Sequence, residues 1–248
     1  MISNPITGAG YFLQGLGLLN KRGVRRFVIL PLLINILLFS LMWWLAANQF
    51  GTFIDTLMPS LPDWLSWLSW LLWLVFAITG GIIMFFSFTL VANLVGAPFN
   101  SYLAAAVEAH LNGTKPVSDK TFAQELRDAL LGELRKWLYY LIWIIPLLII
   151  SLIPGINLIS PILWVIFSAW MMAIEYADYP LGNHGLTFPQ IRTQLGNKRV
   201  LSLGFGGITM AATLIPLFNL LVMPVAVAGA TAMRLAQFPL PADRKEVV

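Results

Sequence analysis

A glycine, a valine and two arginines stand directly before a long stretch of the chain that carries no charge. They are Gly23, Val24, Arg25 and Arg26, and the uncharged residues 27–54 follow them. A glycine lets the backbone approach a ligand closely, and an arginine side chain can pair with a tetrahedral oxyanion through two hydrogen bonds. The N–H groups and the dipole at a helix start also attract anions. This element is the best candidate in the sequence for an oxyanion-binding site.

The same two arginines have a simpler explanation that the sequence leaves open. Basic residues that flank a membrane helix commonly reach the lipid phosphates and set the orientation of the chain. Residue type and spacing alone favour that role over anion binding.

A second candidate group consists of polar residues inside an apolar stretch. Asn93, Asn100 and Ser101 interrupt the uncharged residues 64–107, and Glu108 is the first charge after them. The Asn100 amide and the Ser101 hydroxyl could donate hydrogen bonds to a desolvated anion. Asn and Ser also bridge buried helices, so a role in helix packing is an equal alternative. Glu108 carries the wrong charge to bind an anion, and we expect it to pair with an arginine.

Two carboxylates, Glu175 and Asp178, lie three residues apart and therefore share one face of a helix. Paired carboxylates can relay protons or hold a metal ion, but the sequence favours ordinary salt bridges at the membrane edge. His110 and His184 lie in separate polar connectors without metal-ligand spacing. The sequence contains no phosphate-binding loop, nucleophile elbow or dinucleotide fingerprint. We expect no metal, no cofactor and no enzyme activity.

The composition indicates the kind of protein that positions these residues. Of the 248 residues, 58% are hydrophobic and 10% are charged, and the mean hydropathy is +0.80. Soluble domains average about 25% charged residues. The chain has no cysteine, which excludes disulfides and thiolate metal sites. These features predict an all-α integral membrane protein whose net charge of +4 reflects membrane orientation rather than nucleic-acid binding.

Four blocks of the sequence carry no charge, and a membrane-spanning helix needs about 20 apolar residues. The blocks are 27–54, 64–107, 137–174 and 200–233. The first predicts one spanning helix. The second is too long for one span, so we expect a spanning helix that turns near Gly96 and continues to Asn112.

The charges between the blocks predict the orientation. The connector 55–63 holds two aspartates and no basic residue, whereas basic residues precede the first block and flank the third and fourth. The positive-inside rule then places both termini in the cytoplasm. Before the first block, residues 1–22 are expected to form an interfacial helix. Its predicted apolar face consists of Tyr11, Phe12, Leu16 and Leu19.

The third and fourth blocks each begin and end on the cytoplasmic side and are each divided by a proline. The dividing motifs are LIPGIN, with Pro154, and LIPLFN, with Pro216. Each arm would be about 24–28 Å of helix, which is borderline for a bilayer core of about 30 Å. An apolar apex favours a re-entrant hairpin over two short crossings. Asn157 and Asn219 could cap the carbonyls freed by the prolines, or could contact a substrate.

Capping boxes extend this repeat toward the N-terminus, because a threonine is followed by a glutamine three residues later at Thr121 and at Thr187. Transport proteins commonly contain such repeats, with interrupted helices near the substrate path. We expect one membrane domain over residues 1–248. Its parts are the helix over 1–22, two long transmembrane helices over 24–112, an amphipathic helix and hairpin over 121–180, a short helix and hairpin over 187–236, and a tail over 237–248.

The stretches LNKRGVRRFVILPLLIN and LVANLVGAPFNSYLAAAVE resemble the CysZ family of bacterial sulfate permeases, and the resemblance covers nearly the whole chain. It implies sulfate uptake across the bacterial inner membrane for cysteine biosynthesis. In that family a glycine-hydrophobic-arginine element before the first long helix is associated with sulfate binding. Here it falls on Gly23, Val24 and Arg25, with Arg26 adjacent, and valine replaces the usual leucine.

The resemblance also implies two long membrane helices, two partly penetrating hairpins and a homo-oligomer in the lipid bilayer. Sulfite is a second candidate anion, and the sequence is compatible with a channel and with a carrier. A membrane scaffold or assembly factor without conduction of its own is the alternative function. A membrane-embedded enzyme is disfavoured because ionisable groups are scarce inside the predicted spans.

Overall fold

The computed structural model describes residues 4–57, 62, 64, 67–113 and 122–240, and the regular structure in these ranges is helical throughout. The helices are α1 Pro5–Leu19, α2 Arg26–Leu57, α3 Trp67–Asn112, α4 Phe122–Leu152, α5 Ser160–Gly182, α6 Phe188–Asn197, α7 Arg199–Thr213 and α8 Pro216–Gln237. A short 3-10 helix, Ile156–Ile159, precedes α5. The predicted all-α class is confirmed.

Four of the described helical stretches are long and apolar enough to cross a membrane. They are Arg26–Thr56, Leu131–Leu152, Ile156–Gly182 and Phe218–Gln237. A stretch of about 20 apolar residues spans the hydrocarbon core. The chain is therefore a multi-pass membrane protein.

The chain forms two compact units, and the smaller one comprises residues 26–99. In this unit α2 and the first part of α3 contact each other through aromatic rings. Phe50 stacks on Phe76 with ring centroids 4.2 Å apart, and Trp73 meets Phe50 edge-on at 4.9 Å. Offset-stacked and edge-on arrangements are the preferred geometries of aromatic pairs. This cluster closes the α2–α3 hairpin next to the connector 55–63.

The course of α3 corrects one expectation. The sequence predicted a turn near Gly96, and this is wrong, because α3 continues without interruption from Trp67 to Asn112. Glycine and proline are tolerated within membrane helices, where local adjustments satisfy the backbone groups that proline leaves free. The side chains of residues 84–98 lie outside the described part of the structure.

The larger unit comprises residues 1–25 and 100–248, and α1 packs in it against α7 and α8. The buried residues of α1 are Gly8, Phe12, Gly15 and Leu18. Of the predicted apolar face, Phe12 is buried, Tyr11 and Leu19 are half-buried and Leu16 is exposed. Gly8 and Gly15 provide the packing surface of α1, because they allow backbone-to-backbone contact.

Gly15 makes one of these close contacts, because a Cβ atom there would lie 2.2 Å from the carbonyl oxygen of Val225. Gly15→Ala is therefore expected to destabilise the protein by about 2–3 kcal/mol, because neither backbone can yield. Thermal unfolding in detergent measures the effect. Gly17 has open space around it, so Gly17→Ala is the matched control and should be neutral or slightly stabilising. Equal melting temperatures for the two variants would contradict this packing.

The two hairpins of the larger unit are broken where the sequence predicts. Helix α4 ends at Leu152 before Pro154, and α7 ends at Thr213 before Pro216. At the first apex Gly155 has φ +87°, a conformation that favours glycine. The same backbone bond closes both apices, since Asn157 N donates to Ile153 O at 2.9 Å and Asn219 N donates to Ile215 O at 2.8 Å.

The second predicted capping box is present at the start of α6. The Oε1 atom of Gln190 accepts hydrogen bonds from the backbone N of Thr187 at 2.7 Å and from its hydroxyl at 2.8 Å. The helix then buries Phe188, Ile191 and Leu195. The corresponding Thr121 lies outside the described residues.

Candidate functional site

The arginine element forms a tight turn between α1 and α2. Gly23 has φ +87°, in the left-handed region where a side chain would be strained. The N–H groups of Val24 and Arg25 donate to the carbonyl oxygen of Lys21 at 3.1 Å and 3.3 Å. Val24 is fully buried, while Arg25 and Arg26 are exposed. The buried valine therefore anchors the turn, and both guanidinium groups remain accessible.

These hydrogen bonds alter which donors an anion could use. The sequence predicted free backbone N–H groups at this helix start, but those of Val24 and Arg25 bind Lys21. The guanidinium groups of Arg25 and Arg26 are exposed and remain as donors for an anion. The guanidinium of Arg26 also lies 4.8 Å from the ring centroid of Phe27. Burial of Val24 explains why valine can replace leucine, since either apolar side chain can anchor the turn.

A buried ionic cluster joins α3, α8 and the turn that follows α5. Glu108 and Arg234 are each 1% exposed, and Arg234 Nη2 donates to Glu108 Oε1. Nε2 of His184 lies 2.8 Å and 3.1 Å from the two Glu108 carboxylate oxygens and also contacts Arg234 Nη2. The predicted pairing of Glu108 with an arginine is confirmed. Because the partners are buried, the cluster ties three elements together.

The polar residues before Glu108 differ in their surroundings. The side chain of Asn183 donates to the carbonyl oxygen of Ser101 at 2.8 Å, which links α5 to α3. Asn100 is 6% exposed, and its side chain lies against Tyr179 of α5. The backbone of Ser101 and the side chain of Asn100 thus both lie in the contact between α3 and α5. The side chain of Asn93 lies outside the described residues.

The hairpin asparagines lie far from the ionic cluster. Asn219 is 15 residues before Arg234 in α8, or about 22 Å along the helix. Asn157 is at the other apex. Their backbone N–H groups close the two apices, and the structure therefore does not bring these residues together with Glu108.

Glu175 and Asp178 bind a buried lysine. Nζ of Lys136 lies 3.0 Å from a carboxylate oxygen of each, and 2.8 Å from Glu133. Tyr140 donates to Glu175 at 3.4 Å. The prediction of salt bridges is confirmed, and the cluster fastens α4 to α5 at the base of the first hairpin.

The sequence did not identify the residues that bind these carboxylates, which are Arg234, His184 and Lys136. A signal for Arg234 was available, because it follows the run Val225 to Ala232, in which Ala, Gly and Val dominate. Small residues in a membrane helix indicate close packing on a neighbouring helix. A charge at the end of such a helix is buried with it and needs a partner.

The fold and the turn define a helical multi-pass membrane protein with an exposed cationic element before its first long helix. The protein family described as sulfate transporter CysZ/etoposide-induced protein 2.4 matches residues 11–224. Two proteins named sulfate transporter CysZ, from Pseudomonas aeruginosa (strain LESB58) and Pseudomonas paraeruginosa (strain DSM 24068 / PA7), are each 44% identical over 229 residues, which cover 91% of this chain and 93% of theirs. The chain belongs to this sulfate transporter family.

Proposed function

We propose that this protein is a permease that carries sulfate across the bacterial inner membrane and supplies it for cysteine biosynthesis. The observation that carries the proposal is the turn at Gly23, Val24, Arg25 and Arg26, which exposes two guanidinium groups beside a long apolar helix. Its relatives named as sulfate transporters support sulfate as the anion. Sulfite has similar oxyanion chemistry and is the second candidate.

In this proposal Arg25 and Arg26 collect the anion, because paired guanidinium hydrogen bonds match the tetrahedral oxygens of sulfate. The positive dipole end at the start of α2 also attracts an anion. Neutral hydrogen-bond donors, here called passage donors, then line the path of the anion through the membrane. A fixed positive charge at each step would hold the anion too tightly. The proposed donors are Asn93, Asn100 and Ser101, with Asn157 and Asn219 at the hairpin tips.

The proposed topology has both termini in the cytoplasm and two hairpins that do not cross the bilayer completely. Leu158 and Leu214 are exposed residues at the two apices, and the chain contains no cysteine. Leu158→Cys and Leu214→Cys are expected to react slowly with an impermeant thiol reagent applied from outside, because both positions would lie in lipid. Thr56→Cys, at the outer end of α2, is the control and should react quickly. Rapid labelling of the apices would show complete crossings.

Conduction separates a permease from a scaffold or assembly factor. The test is entry of labelled sulfate into liposomes that contain only this protein, compared with protein-free liposomes. We expect saturable sulfate entry that unlabelled sulfate, and also sulfite, suppresses. Entry at the protein-free rate would favour the scaffold.

A further inference from the structure

The N-terminal helix α1 is held against α8 by direct contact between the two backbones. A Cβ atom on Gly229 would lie 2.5 Å from the carbonyl oxygen of Tyr11, and one on Gly15 would lie 2.2 Å from that of Val225. Such contact leaves no room for the helices to approach further. Their remaining freedom is sliding and rotation along the contact, which polar side chains can fix.

The side chain of one glutamine fixes the position of α1 along α8. The side chain of Gln237, at the end of α8, is buried, and its Nε2 donates to the hydroxyl of Tyr11 at 2.8 Å. Its Oε1 accepts from Lys198 Nζ at 2.9 Å, and the same ammonium group donates to the Gln237 carbonyl oxygen at 2.8 Å. Both ends of the amide are thus engaged, and the side chain joins α1, the α6–α7 junction and α8.

The end of α1 continues directly into the arginine turn. Lys21 N donates to Leu18 O at 3.1 Å, and Lys21 O accepts from Val24 and Arg25. Hydrogen bonds therefore run without a gap from α1 to Arg25, and the buried Val24 anchors the end of the run. The turn begins about 12 Å beyond Tyr11 along the axis of α1. A displacement of α1 at Tyr11 would therefore also move the turn.

The same turn of α8 also carries Arg234, which binds Glu108 of α3. Glu108 lies two turns after Asn100, a proposed passage donor, on the same helix. The end of α8 therefore connects the arginine element with the part of α3 that carries the passage donors.

We propose that Tyr11 and Gln237 are positioning residues for the anion site: their hydrogen bond sets the place of α1 on α8 and thereby holds Arg25 in its binding position. This inference rests on the proposed function, because it assigns a role toward the same site. Neither residue touches the anion in it.

The binding test uses Tyr11→Phe and Gln237→Leu in the full-length protein. Each is expected to raise the half-saturating sulfate concentration about fivefold, because a broken buried hydrogen bond leaves a donor or acceptor unpaired. Maximal flux should stay within about twofold, since the arginines remain. The effects should not add in the double variant, as expected for two groups that act through one contact.

Tyr139→Phe is the matched control. The Tyr139 hydroxyl accepts a hydrogen bond from Trp170 Nε1 at 3.1 Å, between α4 and α5, so this variant also removes one tyrosine hydroxyl from an interhelical contact. It should leave the half-saturating concentration unchanged. An equal increase for Tyr139→Phe and Tyr11→Phe would overturn the proposal.

A spin label at Arg22→Cys tests positioning without reference to sulfate, because Arg22 is exposed in the turn and the chain has no other cysteine. Tyr11→Phe should increase the mobility of the label, and Tyr139→Phe should not. Unchanged mobility would overturn the proposal, as would increased mobility with unaltered sulfate affinity. If the wild-type protein neither binds nor carries sulfate, the proposed function fails, while the label still decides whether the tyrosine–glutamine contact holds the turn.

Discussion

Replacing Arg25 and Arg26 together by alanine is expected to weaken sulfate binding by about 100-fold. A hydrogen bond to a charged group contributes about 1.5–3 kcal/mol, and the exposure of both side chains favours the lower value for each. Two such contributions give about 3 kcal/mol, or roughly two orders of magnitude in Kd. Equilibrium titration of the purified protein with labelled sulfate measures this change.

Arg199→Ala is the matched control for this variant. Arg199 is exposed at the first residue of α7, so it also pairs an arginine with a helix start, but it follows Lys198 rather than a glycine turn. Its replacement should change the sulfate Kd less than about twofold. If the double variant retained wild-type affinity, the two arginines would serve only lipid contact and orientation.

Removal of the carboxylate at Glu108 is expected to have the largest effect on stability. Glu108→Ala takes away the buried anion that Arg234 and His184 bind. Breaking a buried ion pair by removing one partner costs about 3–5 kcal/mol, because a buried charge loses its compensation. We expect a strongly lowered melting temperature in detergent and a reduced yield of folded protein.

Glu133→Ala provides the comparison, because Glu133 pairs with Lys136 while its own side chain is 54% exposed. An exposed carboxylate contributes about 0–1 kcal/mol, so this variant should melt close to the wild type. The paired replacement Glu108→Leu/Arg234→Leu should recover much of the stability that Glu108→Ala loses. Equal melting temperatures for Glu108→Ala and Glu133→Ala would contradict the importance of the buried cluster.

Features of the fold that depend on neighbouring residues were predictable from the sequence. The membrane class follows from uncharged blocks long enough to span a bilayer. The helix breaks at Pro154 and Pro216 follow from the missing N–H of proline, which disrupts the helix locally. The shared apex bonds at Asn157 and Asn219 support the internal repeat, since they are 62 residues apart in the chain, as their acceptors are.

Features that depend on distant parts of the chain were not predictable. The buried face of α1 is selected by the backbone of α7 and α8, which approaches closely at Gly8 and Gly15. Hydrophobic periodicity does not reveal a contact that forms because a glycine has no side chain. The partner of Glu108 lies 126 residues away, and one sequence identifies the need for such a partner without identifying the residue.

The candidate site shows the same division. The types of Gly23, Arg25 and Arg26 made this element a candidate oxyanion site, and the family resemblance favoured that role over lipid contact. The buried position of Val24 and the bonds of two N–H groups to Lys21 required the fold, because both depend on how the turn closes. These details make the guanidinium groups, rather than the N–H groups of the turn, the main proposed anion donors.

Uptake of labelled sulfate by liposomes containing only this protein, compared for the wild type, Arg25→Ala/Arg26→Ala and Arg199→Ala, tests the central proposal most directly. We expect saturable uptake by the wild type and by Arg199→Ala. At sulfate concentrations below saturation, the double variant should take up sulfate at least about tenfold more slowly. Uptake by the double variant at the wild-type rate would contradict the arginine element as the sulfate site, and no uptake by any of the three would contradict the permease itself.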